Sequence, residues 1–133
     1  MTDSLFLNEP ILKTKKLRCD YLQSDEVKVF RFSGVVVAED WRAIRTVYSH
    51  ITGVKGGCIL DLGDVLLFDS TLYAVLVWVR LTRELHGARF ALVAGAAAEK
   101  RLRLAGIGKW LPIFRSLGAA RAELFAGPES SPP

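Results

Sequence analysis

Residues 61–79 read "DLGDVLLFDSTLYAVLVWV", an almost wholly apolar run that is interrupted by Asp69, Ser70 and Thr71. The apolar side chains that follow recur at helical spacing, so a helix is predicted over residues 72–86, before a glycine that ends it. Aspartate and serine are preferred at helix N-termini because their side-chain oxygens accept hydrogen bonds from free backbone N–H groups. The three polar residues therefore either only cap this helix or also display a hydroxyl at its tip.

The segments on either side of this run alternate between strand and helix patterns. Residues 17–22 and 27–32 flank "QSDE" and predict a hairpin whose second strand ends at Ser33-Gly34. "CILDL" (58–62) is predicted to be a short buried strand followed by a turn at Gly63-Asp64. The other predicted elements are a helix over 38–51, a strand over 88–95, a helix over 96–106, an edge strand over 110–114 and a last helix over 117–125. This order predicts an α/β fold, in which a mixed sheet of four or five strands carries about four helices.

The composition is that of one globular domain. The chain has 133 residues, of which 50% are hydrophobic and 24% are charged, so it can build a core of its own. We predict this domain over residues 17–126, preceded by a basic arm or extra strand at 1–16 and followed by a disordered tail at 127–133. Cys19 and Cys58 lie in strand-like segments and are predicted to be buried, reduced thiols.

The net charge of +4 does not by itself indicate nucleic-acid binding. The basic residues form clusters at 13–18 and 100–103, without the interleaved aromatic residues or the motifs of nucleic-acid-binding proteins. Solvated charge is the preferred interpretation, with an acidic protein partner or a membrane surface as alternatives. Because no apolar run reaches the ~20 residues of a membrane-spanning helix, we expect no membrane insertion. The N-terminal residues do not have the pattern of a secretory signal, and with reduced cysteines this predicts a cytoplasmic location.

The sequence lacks the patterns of an enzyme. No cysteine and histidine cluster has metal-ligand spacing, and no phosphate-binding glycine loop precedes a helix. His50 and His86 lie at predicted helix C-termini, where a cation is favourable. Asp61 and Asp69 are conceivable as an acid–base pair, but Ser70 has no identifiable partner base. We therefore predict that the protein is not an enzyme and that it binds no metal or cofactor.

The order of patterns between residues 17 and 125 resembles the STAS domain, the fold of anti-sigma-factor antagonists and of the cytoplasmic ends of sulphate transporters. The match rests on "ILDLGDVLLFDST" (59–71), a helix, the strand "RFALVAG" (89–95) and "EKRLRLAGIGKWLPIF" (99–114). In that family a Leu-Asp-Leu strand leads to an Asp-Ser-Ser/Thr-Gly turn at a helix start. A later helix ends in a Gly-Leu/Ile motif, which Gly106-Ile107 matches.

The resemblance implies that Ser70 is a phosphoacceptor, because the antagonists of the family are phosphorylated on the serine after that aspartate by a partner anti-sigma kinase. Asp69 is then its neighbour, and Thr71 is a second hydroxyl. A phosphate is tolerated at a helix N-terminus, which is partially positive, yet its roughly 1.5–2 negative charges change what can dock there. The capping and phosphoacceptor roles are compatible.

Two departures from the family pattern affect the inference about partners. Leu72 replaces the glycine that usually follows the hydroxyl pair, and this substitution predicts a bulkier tip. The turn after the second strand reads "GVVV" (34–37) and lacks the acidic residues that help to contact the kinase in familiar antagonists. Neither departure changes the expected fold.

The helix predicted over residues 72–86 carries apolar side chains on two faces. One stripe is expected to pack on the sheet, and a second set that includes Trp78 and Leu81 lies on an adjoining face. This second set is either a wide core contact, a surface covered by the N-terminal arm, or an interface beside Ser70. A tryptophan flanked by aliphatic side chains is typical of a protein-binding hot spot. The residues predicted to contact a partner are Trp78, Leu81, Leu72, Tyr73 and Gly34.

Two functions follow from this interpretation. The first is a phosphorylation-gated protein-interaction module, similar to an anti-sigma-factor antagonist or to the STAS scaffolds of stressosomes. Its expected partners are an anti-sigma factor with serine-kinase activity, other STAS proteins, or a second copy of the chain. The second function is a STAS subunit of a lipid-trafficking ABC transporter, which binds an ATPase without phosphorylation.

Overall fold

Six strands and four α-helices follow one another along residues 9–24, 27–85 and 89–126, which are the residues that the computed structural model describes. The strands are β1 (Glu9–Lys13), β2 (Leu17–Ser24), β3 (Val27–Val36), β4 (Cys58–Phe68), β5 (Phe90–Val93) and β6 (Ile113–Phe114). The helices are α1 (Trp41–Gly53), α2 (Ser70–Leu85), α3 (Ala96–Leu104) and α4 (Leu117–Ala126), with short 3₁₀ turns at Ala38–Asp40 and Gly108–Trp110.

The strands form one mixed sheet in the order β1-β2-β3-β4-β5-β6. The first three strands are antiparallel neighbours, and β3 to β6 run parallel. The predicted α/β fold with a mixed sheet and four helices is therefore confirmed, with five strands after residue 17. A sixth strand, β1, comes from the N-terminal segment. The predicted tail at 127–133 and His86 lie outside the described residues.

The predicted hairpin is present, but its second strand continues past the predicted break. Residues of β2 and β3 pair from Leu17 opposite Gly34 to Ser24 opposite Val27. The expected end at Ser33-Gly34 is wrong, because β3 extends to Val36. Gly34 has a φ of +97°, which favours glycine, and the pairing of β3 with β4 shifts register just after it. The glycine thus bends the strand without ending it.

The predicted turn at Gly63-Asp64 is also wrong, because β4 passes through it and ends only at Phe68. The far half of β4 keeps pairing with the extended β3, as in the pair Ser33 and Asp64. The register shifts before this pair, and the carboxylate of Asp61 accepts a 2.9 Å hydrogen bond from the Gly63 N–H. A bulge therefore replaces the turn, and β4 continues to Phe68, two residues before Ser70.

The sheet has a core on each face. The larger core lies under α1, α2 and α3, and the smaller one lies under α4. Neighbouring strand residues divide between them, since Leu60 belongs to the larger core and Ile59 to the smaller one, as the alternation of a strand requires. The predicted inner stripe of α2 is part of the larger core, with no member more than 4% exposed: Leu72, Val75, Leu76 and Val79.

The two cysteines lie in the core as free thiols. Burial raises the pKa of both thiols to about 12, with the neighbouring Asp20 adding to the effect at Cys19. Both therefore remain protonated at neutral pH and are poor nucleophiles. The prediction of buried, reduced thiols is confirmed.

Candidate functional site

The start of α2 is organised by Asp69. One carboxylate oxygen of Asp69 accepts a 2.8 Å hydrogen bond from the Thr71 N–H, and its backbone carbonyl accepts one of 3.1 Å from Leu72. These are the bonds of a helix N-cap, and they satisfy backbone donors that the first turn of a helix leaves free. The cap is therefore the aspartate, and Ser70 is the first residue of the helix itself.

Asp69 also ties the start of α2 to the end of β3. Its second carboxylate oxygen accepts a 3.1 Å hydrogen bond from the Ala38 N–H, and its own N–H donates to the carbonyl of Val36 at 3.1 Å. The hydrogen bonds from Thr71, together with that from Ala38, hold the pKa of the Asp69 carboxyl below its usual value. The aspartate is thus ionised at neutral pH and fixed to two segments of the chain.

Ser70 is exposed at this tip, and Thr71 is half-buried beside it. Because Asp69 makes the capping bonds, the Ser70 hydroxyl is not needed to close the first turn. The predicted location of Ser70, at the N-terminus of the helix that follows the buried strand, is confirmed. A hydroxyl in this position can be reached from solvent without any change in the fold.

A cation that sequence reasoning missed lies next to the tip. The guanidinium of Arg101, on α3, donates a 2.8 Å hydrogen bond to the carbonyl of Phe68 and lies 3.9 Å from the centre of the Phe68 ring. Phe68 precedes Asp69, so Arg101 adds positive charge close to the N-terminus of α2. No local pattern links two positions 33 residues apart, and in the sequence Arg101 is only one member of a basic cluster.

The outer face of α2 has exposed apolar side chains. Trp78 is 47% exposed and Leu81 is 50% exposed. The Trp78 ring meets the rings of Trp41 and Tyr48 from α1 edge-on, each with 6.0 Å between centroids. The Tyr48 hydroxyl shares a 2.9 Å hydrogen bond with that of Thr82. These contacts hold Trp78 in place although about half of it faces solvent.

No protein-family model and no curated protein matches this sequence. Solved structures do match. An anti-sigma factor antagonist from Mycobacterium paratuberculosis superposes with a TM-score of 0.75 at 20% identity, over 86% of this chain and 99% of that one. The chain has the fold of the anti-sigma factor antagonists.

Two structures of SpoIIAA show the same similarity. The unphosphorylated antagonist matches with a TM-score of 0.61 at 14% identity, over 90% of this chain and 96% of that one. The phosphorylated form of the Bacillus cell fate determinant SpoIIAA matches with a TM-score of 0.56 at 16% identity, over 87% and 98%. The expected resemblance to the STAS domain is therefore confirmed for the fold.

Within this antagonist fold, the predicted interface residues do not all lie on one accessible surface. Trp78 and Leu81 are exposed, and Tyr73 is half-buried with its ring against Phe68 at 5.9 Å. Leu72 must be removed from the set, because its side chain is 2% exposed and packs in the core. The expectation that Leu72 makes the tip bulkier is wrong for the same reason.

Gly34 has a structural explanation that needs no partner. A side-chain Cβ at this position would come within 2.0 Å of the carbonyl oxygen of Lys16, and the φ of +97° disfavours other residues. The backbone just before β2 therefore approaches Gly34 more closely than a residue with a side chain permits. Whether a partner also contacts Gly34 stays a prediction.

The two aspartates that the sequence raised as an acid–base pair have separate bonding partners. Asp61, which the sequence raised as a partner of Asp69, forms a 3.2 Å ion pair with Arg31. No three described histidine, cysteine, aspartate or glutamate residues are placed to hold a metal ion. Within the same ranges, no helix has the length and hydrophobicity to span a membrane. What this site presents is the exposed Ser70 at a capped helix start, on the same helix as the exposed Trp78.

Proposed function

We propose that the protein is a phosphorylation-gated protein-interaction module and a regulator of the anti-sigma-factor-antagonist type, with Ser70 as its phosphoacceptor. The observation that carries the proposal is the division of labour at the start of α2. Asp69 caps the helix through its carboxylate, while the neighbouring Ser70 is exposed as the first helical residue. A modification of Ser70 therefore leaves the capping bonds intact.

The charges around the tip support a phosphate at this position. The N-terminus of α2 contributes partial positive charge, and the guanidinium of Arg101 is bonded to the carbonyl of Phe68, two residues before Ser70. Both favour an anion, whereas the carboxylate of Asp69 opposes it. With roughly 1.5–2 added negative charges, the phosphate changes the electrostatics of the surface much more than it changes the stability of the fold.

The partner is then a protein that docks against the tip and the outer face of α2. We place Ser70, Thr71, Trp78 and Leu81 in this interface, with Tyr73 at its edge. A serine kinase that is itself an anti-sigma factor fits this role. SpoIIAA has been solved in unphosphorylated and phosphorylated forms, which supports a switch of this kind in the fold. Such a partner acts in the cytoplasm, where ATP is available, and the module itself needs no cofactor.

The test is phosphorylation by the anti-sigma-type serine kinases of the source organism. The purified protein is incubated with each kinase and ATP, and intact-mass and peptide mass spectrometry locate the phosphate. We expect one phosphate on Ser70, which is absent from Ser70→Ala and retained by Thr71→Val. Thr71→Val is the matched control, because it removes the neighbouring hydroxyl but keeps the backbone N–H that bonds to Asp69.

The effect of phosphorylation on binding is then measured by calorimetry, with the kinase that modifies the protein as the partner. The phosphorylated form should bind it about tenfold or more weakly than the unmodified form, which corresponds to about 1.4 kcal/mol. Transfer to Thr71 alone, or no transfer by any of these kinases, contradicts the proposal. Binding of a transporter ATPase by a protein that no kinase modifies supports the transporter-subunit function predicted as the alternative.

A further inference from the structure

A small cleft lies between the outer surfaces of α1 and α2. Trp41 and Tyr48 of α1 and Val75 and Trp78 of α2 are among its lining residues, and the Trp78 ring packs edge-on against the rings of both Trp41 and Tyr48. Arg45 and Ser49, one helical turn apart on α1, complete its lining. The lining thus combines apolar and aromatic side chains with the polar residues Arg45 and Ser49.

The size of this cleft selects the class of ligand. Its volume is about 210 Å³, whereas sites for drug-sized metabolites or cofactors usually measure about 300–1,000 Å³. The space suits a single large apolar side chain more than a whole small molecule. A cleft of this kind, walled by aromatic rings of which one is exposed, is typical of the pocket that receives an anchor residue at a protein interface.

The positive charge around the cleft indicates which kind of partner segment carries the apolar anchor residue. Helix α1 contains Arg42 and Arg45 but no acidic residue, and both arginines are exposed. Neither forms an ion pair with an acidic side chain among the described residues. Elsewhere in the described chain the arginines are commonly paired, as are Arg31, Arg80 and Arg103. The unpaired arginines beside the cleft are complementary to carboxylates on a partner.

We propose that the α1–α2 cleft binds one bulky apolar side chain, such as leucine, methionine or phenylalanine, carried by an acidic segment of the partner protein. This inference rests on the proposed function and gives the partner its chemistry. The anchor side chain packs in the cleft against the aromatic residues Trp41, Tyr48 and Trp78, and the flanking carboxylates meet Arg42 and Arg45. The exposed Trp78 is thus one wall of a binding cleft.

The position of the cleft explains how a phosphate on Ser70 controls binding. Ser70 and Trp78 are eight residues apart on α2, so about 12 Å of helix separates the tip from the cleft. Charges interact strongly only within about 8 Å at physiological ionic strength, so a phosphate acts weakly on the anchor itself. A partner segment that extends about four residues toward the tip brings its carboxylates next to Ser70. Phosphorylation then repels the segment that the arginines attract.

The test uses a random dodecapeptide phage library selected on the unphosphorylated protein, with Trp78→Ala protein used to subtract clones that bind elsewhere. We expect the enriched peptides to share one bulky apolar residue flanked by aspartate or glutamate, with acidic residues about four positions from it. Enrichment of basic or uncharged peptides overturns the proposal. So does a selection in which subtraction on Trp78→Ala removes all of the clones, because they then bind without Trp78.

An enriched peptide is then synthesised and its affinity is measured by fluorescence polarisation. Arg45→Glu should weaken binding about tenfold or more, because it reverses the charge beside the cleft. Lys109→Glu makes the same change of charge at an exposed position away from the cleft, and its affinity should stay within about twofold of wild type. If the two variants lose affinity for the peptide equally, the proposal that the cleft binds it is wrong. Because Arg45 is exposed, this comparison does not depend on Trp78→Ala being well folded.

A third measurement distinguishes the proposal of a binding cleft from the proposal that phosphorylation of Ser70 controls binding. The same peptide is titrated into protein that carries phosphoserine at position 70, introduced by genetic encoding, with wild type as the reference. We expect about tenfold weaker binding. If phosphoserine has no effect while Arg45→Glu does, the cleft is correct and the gating proposal is wrong. If Arg45→Glu has no effect, the cleft is wrong whatever the phosphate does.

Discussion

The two ends of helix α2 are held in opposite ways. At the N-terminus, the helix is capped by the small carboxylate of Asp69, and the adjacent Ser70 is open to solvent. At the C-terminus, the side chain of Arg83 is only 2% exposed. Its guanidinium donates to the carbonyls of Val54 and Arg89, both at 2.7 Å, and to that of Gly56. One end is a surface that can change, and the other is a buried junction.

This difference shows where the fold can tolerate a switch. Arg83 joins α2 to the segment between α1 and β4 and to the start of β5, so its loss affects several elements at once. The bonds of Asp69 join the start of α2 to the end of β3 and to Ala38. Because the inner stripe of α2 is buried along its length, the helix stays docked even when its exposed tip acquires a charge. Variants at the two ends should therefore differ in stability by a large margin.

The largest effect is expected from Arg83→Ala. The change leaves three backbone carbonyls without their donor and a space where the side chain was, so it should lower the free energy of unfolding by about 3 kcal/mol or more. Urea denaturation at pH 7 measures this loss. Burial lowers the pKa of the Arg83 guanidinium, but arginine stays protonated in the accessible pH range, so the loss should not depend on pH.

Two variants sharpen this result. Arg83→Lys keeps a cation but cannot reach three carbonyls with a planar fork of donors, so it should recover only part of the loss. Arg80→Ala, three residues earlier on α2, removes a solvent-facing ion pair with Glu84 and should cost at most about 0.5 kcal/mol. If Arg80→Ala and Arg83→Ala cost the same, the C-terminal end is no more firmly held than the surface.

The sequence predicted the exposed end of α2 better than the buried one. Ser70 was placed correctly because the polar interruption and the apolar periodicity after it are local patterns. The burial of Arg83 could not be predicted, since its acceptors are backbone carbonyls from distant segments. Charged side chains are also rarely buried.

The same reason explains the errors in the strands. Gly63-Asp64 has the composition of a turn, yet the chain continues as strand because β3 offers a partner beyond that point. The sequence pattern allows Leu72 to lie either in the inner stripe or in the interface. Its burial in the folded structure shows that it belongs to the inner stripe. Arg101 and the wall of the α1–α2 cleft depend on contacts between elements. Such contacts produce no recognisable pattern of residue spacing in the sequence.

An intermediate effect is expected from Asp69→Ala, which removes the cap. Loss of the bonds to Thr71 and Ala38 should lower the free energy of unfolding by about 1 kcal/mol. The folded-state pKa of Asp69 lies below the unfolded value, so its ionic contribution is complete above the unfolded pKa and disappears as pH falls through the folded one. The difference between wild type and variant should therefore shrink as the pH falls below about 4.

Asp69→Asn keeps one acceptor oxygen but removes the charge and the second acceptor. Asparagine is a good N-cap residue and can keep the bond from Thr71, but its amide nitrogen cannot accept the bond from Ala38, so at pH 7 this variant should recover only part of the stability that Asp69→Ala loses. It has no carboxyl group to titrate at position 69, and any remaining difference from wild type should vanish at low pH. A wild-type protein whose advantage over Asp69→Asn grows on acidification has the opposite sign of linkage, and the description of the cap is then incorrect.

The smallest effect on stability, and the largest on binding, is expected at Ser70. Because Asp69 provides the cap, Ser70→Ala should change the free energy of unfolding by less than about 0.5 kcal/mol and should still bind the partner. Ser70→Asp should have a melting temperature close to that of wild type, since a carboxylate is favourable in the first turn of a helix even beside Asp69. The same variant should bind the partner more weakly, because its charge lies in the docking surface. Thermal unfolding and calorimetry on the three proteins measure both quantities.

If Ser70→Ala costs as much stability as Asp69→Ala, the serine shares the cap and the two ends of α2 differ less than their contacts indicate. If all three proteins bind alike, the exposed end of α2 is not a switch.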